Sequence, residues 1–576
     1  MLEWDLSALF RDEAELEKLT QESTQVALNF RREYEGRLAE LAREEFLAAL
    51  KAYEGLHLDL AQILSYASLC FARDTSMGGF YAKYEEKCKK IEENLLFFEL
   101  EFCALSTEKS TELSHFCEDY RFYLQRLLER KKYQLTQKEE RVLLHLSSTG
   151  GAAFSRLFDE SLSAMKIPFE GKKLGEEEIL SKLYHPERRV RKKAAKNFGK
   201  ALRKRAGLLS FILNMIKSEK KSIALLRGYE NAEISRHLSN QISQNSVDAL
   251  IESTRANFCI VEDFYKIKKQ ILGFETLRDY DRYAPLGREA RFSFEESKGI
   301  ILEAFGDFCP EFESIAKEAF EGGWIDVYPR DKKQGGAFSH AASPRAHPYI
   351  LLNHTDQRRD LFTLAHELGH AIHQKLSYSV SFLNQDTPLT TAETASVFAE
   401  MLVFDHIKKR LKGEELLALY AAKLEDIFAT LFRQISFTCF ERRIHAKEDE
   451  LSYEELCKIW MEESAAMFGE SLKLSKNYAS WWSYIPHFVH SPFYCYAYGY
   501  AQLLVLALYG LYRGGECGNF KALYLKMLSL GGSLSPKELV GSFGFDIEDV
   551  NFWHIGMGEI KKLLEEFRLK AGGKAC

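Results

Sequence analysis

Hydrophobic and polar residues recur with a helical period along most of this chain. Between about residues 11 and 150, apolar side chains fall three or four positions apart, and few Gly or Pro residues interrupt them. Gly78-Gly79 and the SSTGG run at 147–151 are the clearest breaks. This pattern predicts an N-terminal lobe of antiparallel α-helices over residues 1–190.

The most regular stretch is 361–376, LFTLAHELGHAIHQKL. Its apolar residues are separated by steps of four, three, four and four; they are Leu361, Ala365, Leu368, Ile372 and Leu376. Such spacing places them on one face of an α-helix. We therefore predict an amphipathic helix over about 356–376.

The pattern changes after Gly322-Gly323. Segments 324–328 (WIDVY) and 347–354 (HPYILLNH) predict two strands, with turns at 335–336 and 341–344 between them. Two roles remain open for this small sheet. Its edge could hydrogen-bond an extended peptide, or it could be a hairpin that only caps a helical lobe.

Composition favours helices, because Leu, Glu, Lys and Ala dominate the long segments and only 11 of 576 residues are Pro. The net charge of −6 gives no general attraction to nucleic acid or to an anionic membrane. Segment 186–205 carries ten basic residues, but its apolar residues recur every four positions. We therefore interpret it as a surface helix and predict no nucleic-acid partner.

Eleven cysteines are scattered singly from Cys70 to Cys576. An odd, unclustered set predicts reduced thiols in a cytoplasmic protein. The first residues lack the basic and apolar regions of a secretory signal. The longest apolar run near the C-terminus, AQLLVLALYGLY, is too short to span a bilayer. We expect a soluble protein with no membrane partner, and oligomeric state is not predicted.

The helix at 361–376 carries an H-E-x-x-H pentad formed by His366, Glu367 and His370. Imidazoles four residues apart lie one turn apart on one face and can hold a zinc ion at about 2.0–2.1 Å. Glu367 could then reach a metal-bound water. The simpler alternative is that these residues only decorate a helix surface. His373 is assigned to hydrogen bonding or to the cleft wall.

A catalytic zinc needs a third protein ligand and one open position. Glu393 lies 23 residues beyond His370, far enough for the chain to reverse and return a carboxylate. Thr390-x-x-Glu393 could instead be a capping box, but we favour the ligand. Ser396 and Glu400 share the face of the second predicted helix, 391–411, and are expected to support the ligands.

A twenty-residue segment that ends at Tyr500 contains two tryptophans, two histidines and five tyrosines. Phenol and imidazole groups can donate hydrogen bonds to a developing oxyanion, although tyrosines of this kind can also simply be core. Tyr494 and Tyr498 share one helix face, and Tyr496 and Tyr500 share another. His487 and Tyr496 are the first candidate donors, followed by Tyr494 and Tyr498.

Taken together, the motifs resemble the M3 family of zinc metallopeptidases, of the oligoendopeptidase F type. Four blocks carry the resemblance: GGAFSH at 335–340, HPYILLNHTDQRRDLFTLAHELGHAIH at 347–373, TAETASVFAE at 391–400 and IPHFVHSPFYCYAYGYA at 485–501. The resemblance implies a mainly α fold with two helical lobes around a deep substrate channel, and one zinc on its floor. It implies zinc ligands His366, His370 and Glu393, with Glu367 as general base.

The predicted function is hydrolysis of internal bonds in short oligopeptides by a zinc peptidase domain over residues 191–576. That domain would contain the small sheet at about 324–354 and the Tyr-rich segment at 481–500. Substrate contacts are predicted for Gly335, Gly336, Ala337, Phe338, His347, Tyr349 and His373. One alternative is a zinc carboxypeptidase or dipeptidase, in which Arg345 or Arg442 would bind a terminal carboxylate. The other is a peptide-binding scaffold with structural zinc.

Overall fold

The computed structural model describes residues 2–515 and 517–572, and it is mainly helical, as predicted. The first helices are α1 (Glu13–Tyr34), α2 (Arg43–Arg73), α3 (Gly78–Glu92), α4 (Leu96–Ala104), α5 (Thr107–Phe116) and α6 (Arg121–Lys131). The next elements are α7 (Gln137–Ser147), α8 (Gly151–Ser163), β1 (Ile167–Phe169), β2 (Lys172–Leu174), α9 (Glu176–Ser181), α10 (Arg188–Arg203), α11 (Ala206–Arg227), α12 (Ile234–Asn240), α13 (Gln244–Ala256) and α14 (Cys259–Ile271).

The second half of the chain contains the predicted sheet and the helix with the pentad. Its elements begin with α15 (Phe294–Phe308), α16 (Pro310–Glu321), β3 (Ile325–Asp326), β4 (Phe338–His340), β5 (Tyr349–Leu351), α17 (Arg358–Ser377), α18 (Leu389–Ala392) and α19 (Thr394–Ile407). They continue with α20 (Gly413–Ile427), α21 (Arg433–His445), α22 (Tyr453–Phe468), α23 (His487–His490), α24 (Cys495–Gly514), α25 (Phe520–Ser529), α26 (Pro536–Gly541) and α27 (Val550–Gly572).

The chain forms two compact units, each assembled from separate stretches of sequence. Unit 1 consists of Met1–Lys132, Ala290–Lys409 and Cys517–Phe543, and unit 2 of Tyr133–Glu289, Arg410–Glu516 and Gly544–Cys576. The predicted domain boundary at residues 190–191 falls inside α10, within unit 2. The Phe198 ring of α10 meets the Trp481 ring edge-on at 5.4 Å. Packing between residues so far apart in the sequence leaves no trace in the local periodicity from which the boundary was predicted.

The small sheet lies in unit 1 with the strand order β3-β5-β4. β5 is central, pairing parallel with β3 and antiparallel with β4. Two strands form within the predicted segments, whereas β4 lies between the two predicted turns, where no strand was predicted. β4 has only three residues and comes soon after Gly335-Gly336. Its sequence therefore gives no strand signal, and its pairing with β5 is what identifies it as a strand. The Trp4 indole donates to the Ile350 carbonyl at 2.8 Å and attaches the N-terminal segment to β5.

Helix α17 buries the apolar stripe that its sequence predicts. Leu361, Ala365, Leu368 and Ile372 have no exposed surface. Asp360 stabilises the start of the helix, because its carboxylate accepts hydrogen bonds from the backbone N–H groups of Thr355 at 2.7 Å and Gln357 at 3.1 Å. α17 packs along α19, which places the polar side of α17 beside the start of α19.

The basic segment forms α10, with the predicted stripe Val190, Ala194, Phe198 and Leu202 buried. Arg191 is also buried and pairs with Asp281 at 3.1 Å. The ten cysteines from Cys70 to Cys517 are free thiols, and Cys576 lies outside the described residues. Among the helices described, none combines the length and apolar character needed to cross a membrane.

Candidate metal centre and cleft

Three donor atoms converge on the polar side of α17. The Nε2 atoms of His366 and His370 are 3.2 Å apart, and Oε2 of Glu393 lies 3.3 Å from the first and 3.4 Å from the second. Two atoms bound tetrahedrally to zinc at about 2.0–2.1 Å would be about 3.3–3.4 Å apart. The triangle therefore has the dimensions of three ligands around one zinc ion.

Glu393 reaches this triangle because its side chain does not cap a helix. The residue immediately precedes α19, and its carboxylate makes no capping bond there. It accepts a hydrogen bond from the Ser396 hydroxyl at 2.6 Å. The buried Tyr524 hydroxyl donates to the Thr394 carbonyl at 2.8 Å and fixes the start of α19. Of the two roles that the sequence left open for Glu393, this geometry favours the ligand.

Glu400 lies behind His366, with Oε1 2.8 Å from Nδ1 of the imidazole. This contact places the ring proton on Nδ1 and turns the Nε2 lone pair toward the other two donors. Burial lowers the pKa of His366, but the hydrogen bond and charge of Glu400, together with Glu393 and Glu367, raise it to about 9. The surroundings of Nε2 thus stabilise positive charge.

Glu367 is 6% exposed and directly follows His366, one of the three donors, in the sequence. The pKa of its carboxyl group is raised to about 7, mainly by desolvation. The charges of Glu393 and Glu400 also raise it, whereas His366 and a backbone hydrogen bond from Ser339 lower it. A carboxylate that titrates near neutrality is matched to general acid–base chemistry.

Gly369, inside the pentad, sets the distance between α17 and α19. A Cβ atom at this position would lie 2.6 Å from the Ala395 carbonyl oxygen and 2.6 Å from Cα of Ser396. Both are backbone atoms, which cannot move away as a flexible side chain can. This role was not predicted from the sequence, although a glycine in a helix interior is a signal for close packing.

These residues open into a cleft of about 450 Å³ within unit 1. Its walls include His366, Glu367 and His370, the predicted contacts Ala337, Phe338 and His373, and the unpredicted residues Ser339, Gln374, Ser377, Gln385, Asp386, Thr387 and Ala392. Burial lowers the pKa of His373 to about 4, so it is neutral at neutral pH. Gly335 and Gly336 lie in the turn before β4, where Asn353 donates to the Gly336 carbonyl at 2.8 Å.

Strand β4 is an edge of the sheet, and the backbone N–H and C=O groups of its middle residue, Ser339, point away from β5. Ile350, opposite Ser339, donates its N–H to the Trp324 carbonyl on the far side of β5, so the 339–350 pair is not bonded directly. Gln374 covers this edge: the Ser339 hydroxyl donates to Oε1 at 2.8 Å, and Nε2 donates to the Ser339 carbonyl at 3.3 Å.

Two predicted substrate contacts, His347 and Tyr349, are not brought to the cleft. The His347 ring stacks on Trp324 at 4.9 Å, and Tyr349 has no exposed surface. Tyr349 also meets the Trp4 ring edge-on at 6.2 Å. This packing differs from the expected peptide contact. It favours a structural role for both residues, because their rings pack against Trp324 and Trp4 instead of lining the cleft.

The Tyr-rich segment belongs to unit 2, where two groups of tyrosines separate. His487 Nε2 lies 3.2 Å from the Tyr498 hydroxyl, and the Tyr494 and Tyr498 rings meet at 5.1 Å. All three side chains are half-buried. Burial lowers the pKa of His487, and Arg433 lowers it further.

Tyr496, one of the two first candidate donors, has no exposed surface. Its hydroxyl lies 2.9 Å from Nδ1 of His237 and accepts a hydrogen bond from Asn240 at 2.9 Å. Tyr500 is equally buried and bonds to Ser246 at 2.7 Å. This pair belongs to the interior of unit 2, so the pair Tyr494 and Tyr498 is the one available at its surface.

Comparison with known families agrees with this arrangement. A family model described as peptidase family M3 matches residues 181–559, which is more than half of the chain. The chain belongs to peptidase family M3. As a member of this family it is a metalloendopeptidase. A second model, described as oligopeptidase F, matches residues 101–167.

Similar proteins span nearly the whole chain. An oligoendopeptidase F homolog from Borreliella burgdorferi is 28% identical over 98% of both chains, and oligopeptidase PepF from Bacillus subtilis is 26% identical over 94% of this chain and 83% of its own. The oligoendopeptidase F structure from Enterococcus faecium has a TM-score of 0.72 at 21% identity and covers 98% of this chain and 100% of its own. A structure from Chlamydophila abortus reaches 0.88 at 23% identity, covering 99% and 98%. These structures share the fold of this family M3 member.

Replacement of Gly369 by Ala is expected to push α19 away from α17. We expect a loss of about 1–3 kcal/mol of unfolding free energy from overpacking, together with weaker metal binding, because Glu393 moves with α19. Gly299→Ala is the matched control: a Cβ at this position in α15 meets nothing within 4 Å. Thermal unfolding and metal content would be measured, and wild-type behaviour of Gly369→Ala in both would contradict the packing argument.

Replacement of Glu400 by Gln is expected to weaken metal affinity by about 10- to 100-fold, because the anion that orients His366 is lost. Affinity would be measured by competition with a chelator. Glu303→Gln is the control, since Glu303 contacts His406 at 3.1 Å but neither residue lines the cleft. Equal affinities for both variants would show that Glu400 does not support the ligand.

Proposed function

We propose that this family M3 peptidase uses zinc to hydrolyse internal bonds of short oligopeptides. The observation that carries the proposal is the convergence of His366, His370 and Glu393 to 3.2–3.4 Å, with both histidines and the buried Glu367 lining one cleft. The relatives named oligoendopeptidase F and oligopeptidase support short peptides as the substrate class.

The donor set supports zinc in a catalytic rather than a structural site. Two imidazoles and one carboxylate are typical of catalytic zinc, which keeps a further position for water or substrate. Within the described residues, the cluster of possible metal ligands consists of these three. A structural zinc would need a fourth protein ligand and would have no use for Glu367, which argues against the scaffold alternative.

A zinc ion held by His366, His370 and Glu393 would supply Lewis acidity toward the scissile carbonyl and would lower the pKa of a bound water toward about 7. Glu367 accepts the proton of the attacking water and passes it to the leaving amine. Glu400 keeps His366 in the tautomer that presents Nε2, while Ser396 holds the Glu393 carboxylate in place.

The edge of β4 supports peptide binding by strand addition. The backbone groups of Ser339 face away from β5, and an extended peptide can pair with them by displacing the Gln374 amide from the Ser339 carbonyl. Ala337 and Phe338 share the cleft wall with Glu367, and Gly335 and Gly336 lead into it. The peptide backbone would therefore lie along the strand that borders the proposed general base.

The carboxypeptidase alternative needs a cation that is available to a terminal carboxylate. Arg345 already donates to Asp59 at 2.6 Å. Arg442 forms ion pairs with Glu233 at 2.8 Å and with Asp248 at 2.6 Å. Because both candidates are paired with acidic side chains, we favour the endopeptidase.

Oxyanion donors are proposed to be His487 with Tyr498, and Tyr494 next to them. Tyr496 is proposed to be structural, since its hydroxyl is buried between His237 and Asn240. We also propose a cytoplasmic location. The ten free cysteines support it, because reducing compartments preserve thiols.

Replacement of Glu367 by Gln tests the proposed function directly. We expect stoichiometric zinc and a fall in kcat of about 10²- to 10⁴-fold, because the general base is lost. Quenched peptides with both ends blocked would be followed by mass spectrometry, with chelated and zinc-restored wild type as controls. Near-wild-type turnover would refute the role of Glu367, and cleavage only of peptides with a free C-terminus would favour the carboxypeptidase.

Tyr498→Phe and Tyr496→Phe are expected to differ in kind. Loss of one transition-state donor at Tyr498 should lower kcat by about 10²- to 10³-fold with little change in thermal stability. Loss of the Tyr496 hydroxyl should cost about 1–3 kcal/mol of stability, since the buried hydrogen bonds of that hydroxyl to His237 and Asn240 are lost, while kcat of the folded enzyme is retained. Steady-state kinetics and thermal unfolding on both variants would separate these outcomes, and the reverse pattern would overturn the assignment.

A further inference from the structure

A second cavity of about 820 Å³ continues from the cleft within unit 1. Five residues line both spaces: Gln374, Ser377, Gln385, Asp386 and Thr387. The remaining walls come from α2, α3, the end of β4 with the two residues after it, Tyr378 and residues 382–383, all in the same unit. The proposed active site therefore opens into a larger space that the proposed chemistry does not use.

Strand β4 leads from one space to the other. Ser339 lines the cleft, whereas His340, Ala341 and Ala342 line the second cavity. The backbone of Ser339 bonds to Glu367, so a peptide residue paired with Ser339 would lie next to the bond that Glu367 would attack. Residues paired with His340, Ala341 and Ala342 would then be the second to fourth from that bond. In an antiparallel pairing, which is commoner and slightly more stable than a parallel one, these are residues on the N-terminal side of that bond.

The walls of the second cavity combine apolar surface with carboxylates. Leu64, Tyr81, Tyr378, Phe382 and Leu383 supply the apolar part, and Glu85, Glu92 and Asp386 the acidic part. Their charges are compensated to different degrees. Glu85 pairs with Lys89 at 3.6 Å. Burial raises the pKa of Asp386, and the charge of Arg126 offsets part of that rise.

Glu92 differs from the other two carboxylates. It is exposed at the C-terminal end of α3, and no cation within the described residues forms an ion pair with it. Lys89, the one lysine or arginine on these walls, is already paired with Glu85. The cavity thus keeps an excess of negative charge beside its apolar surface.

We propose that this cavity binds a Lys or Arg side chain of the peptide substrate, two to four residues N-terminal to the scissile bond. The inference rests on the proposed endopeptidase function. The aliphatic stem of such a side chain lies on the apolar walls while its charged end meets Glu92. An acidic side chain at the same position is repelled.

Three blocked peptides that differ only in having Lys, norleucine or Glu three residues before the scissile bond test this. We expect kcat/KM of the wild type to fall in that order. Glu92→Gln should reduce the ratio of Lys to norleucine by about two- to fivefold, the range of an exposed charge pair. Lys89→Gln should raise it. Glu93→Gln, the adjacent exposed residue that does not line the cavity, should leave it unchanged.

The norleucine peptide keeps this test separate from the proposed function. If wild type does not cleave it, or Glu367→Gln cleaves it equally well, the endopeptidase assignment fails. If cleavage is normal but Glu92→Gln and Glu93→Gln give the same Lys preference as wild type, the cavity assignment fails alone. Lys moved stepwise through the peptide locates the subsite, and a preference confined to the C-terminal side of the bond would overturn the proposal.

Discussion

The close approach of α17 and α19 is the constraint on which the rest of the centre depends. Two histidines one turn apart on α17 can supply only one side of a metal site, and the third donor has to come from another element. Gly369 allows the backbone of Ala395 and Ser396 to come so near that a methyl group would collide with both. That distance brings Glu393 level with the imidazoles and Glu400 behind His366.

The close approach of α17 and α19 also concentrates negative charge in the cleft. Glu367, Glu393 and Glu400 surround two imidazoles in a partly desolvated cleft, which makes a cation in their midst favourable and a proton on Glu367 easy to hold. The arrangement is costly for the protein alone, since like charges repel more strongly when water is excluded. A divalent ion held there would offset that repulsion, so metal binding and folding of this region would stabilise each other.

Local patterns predicted what depends on local geometry. The stripe of α17, the pentad and the return of Glu393 all follow from helical period and chain length, and the mainly α class follows from composition. The sequence could not reveal β4, whose three residues become a strand only through β5, nor the contact of Ser339 with Gln374. His347 and Tyr349 were assigned to the cleft, but partners as distant as Trp4 determine that they pack elsewhere. Likewise, helical spacing grouped the tyrosines into two pairs, and only His237, Asn240 and Ser246 distinguish the buried one.

The bond between Gln374 and Ser339 has a consequence for solubility. A strand with unpaired backbone groups invites other chains to add to it, which is a route to aggregation. Here the vulnerable edge is only three residues long, and a glutamine amide occupies the carbonyl at its centre from the neighbouring helix. The Gln374 amide is chemically similar to a peptide group, so an incoming chain would replace its hydrogen bond to the Ser339 carbonyl with one of the same kind. While the glutamine is in place, it protects this edge against self-association.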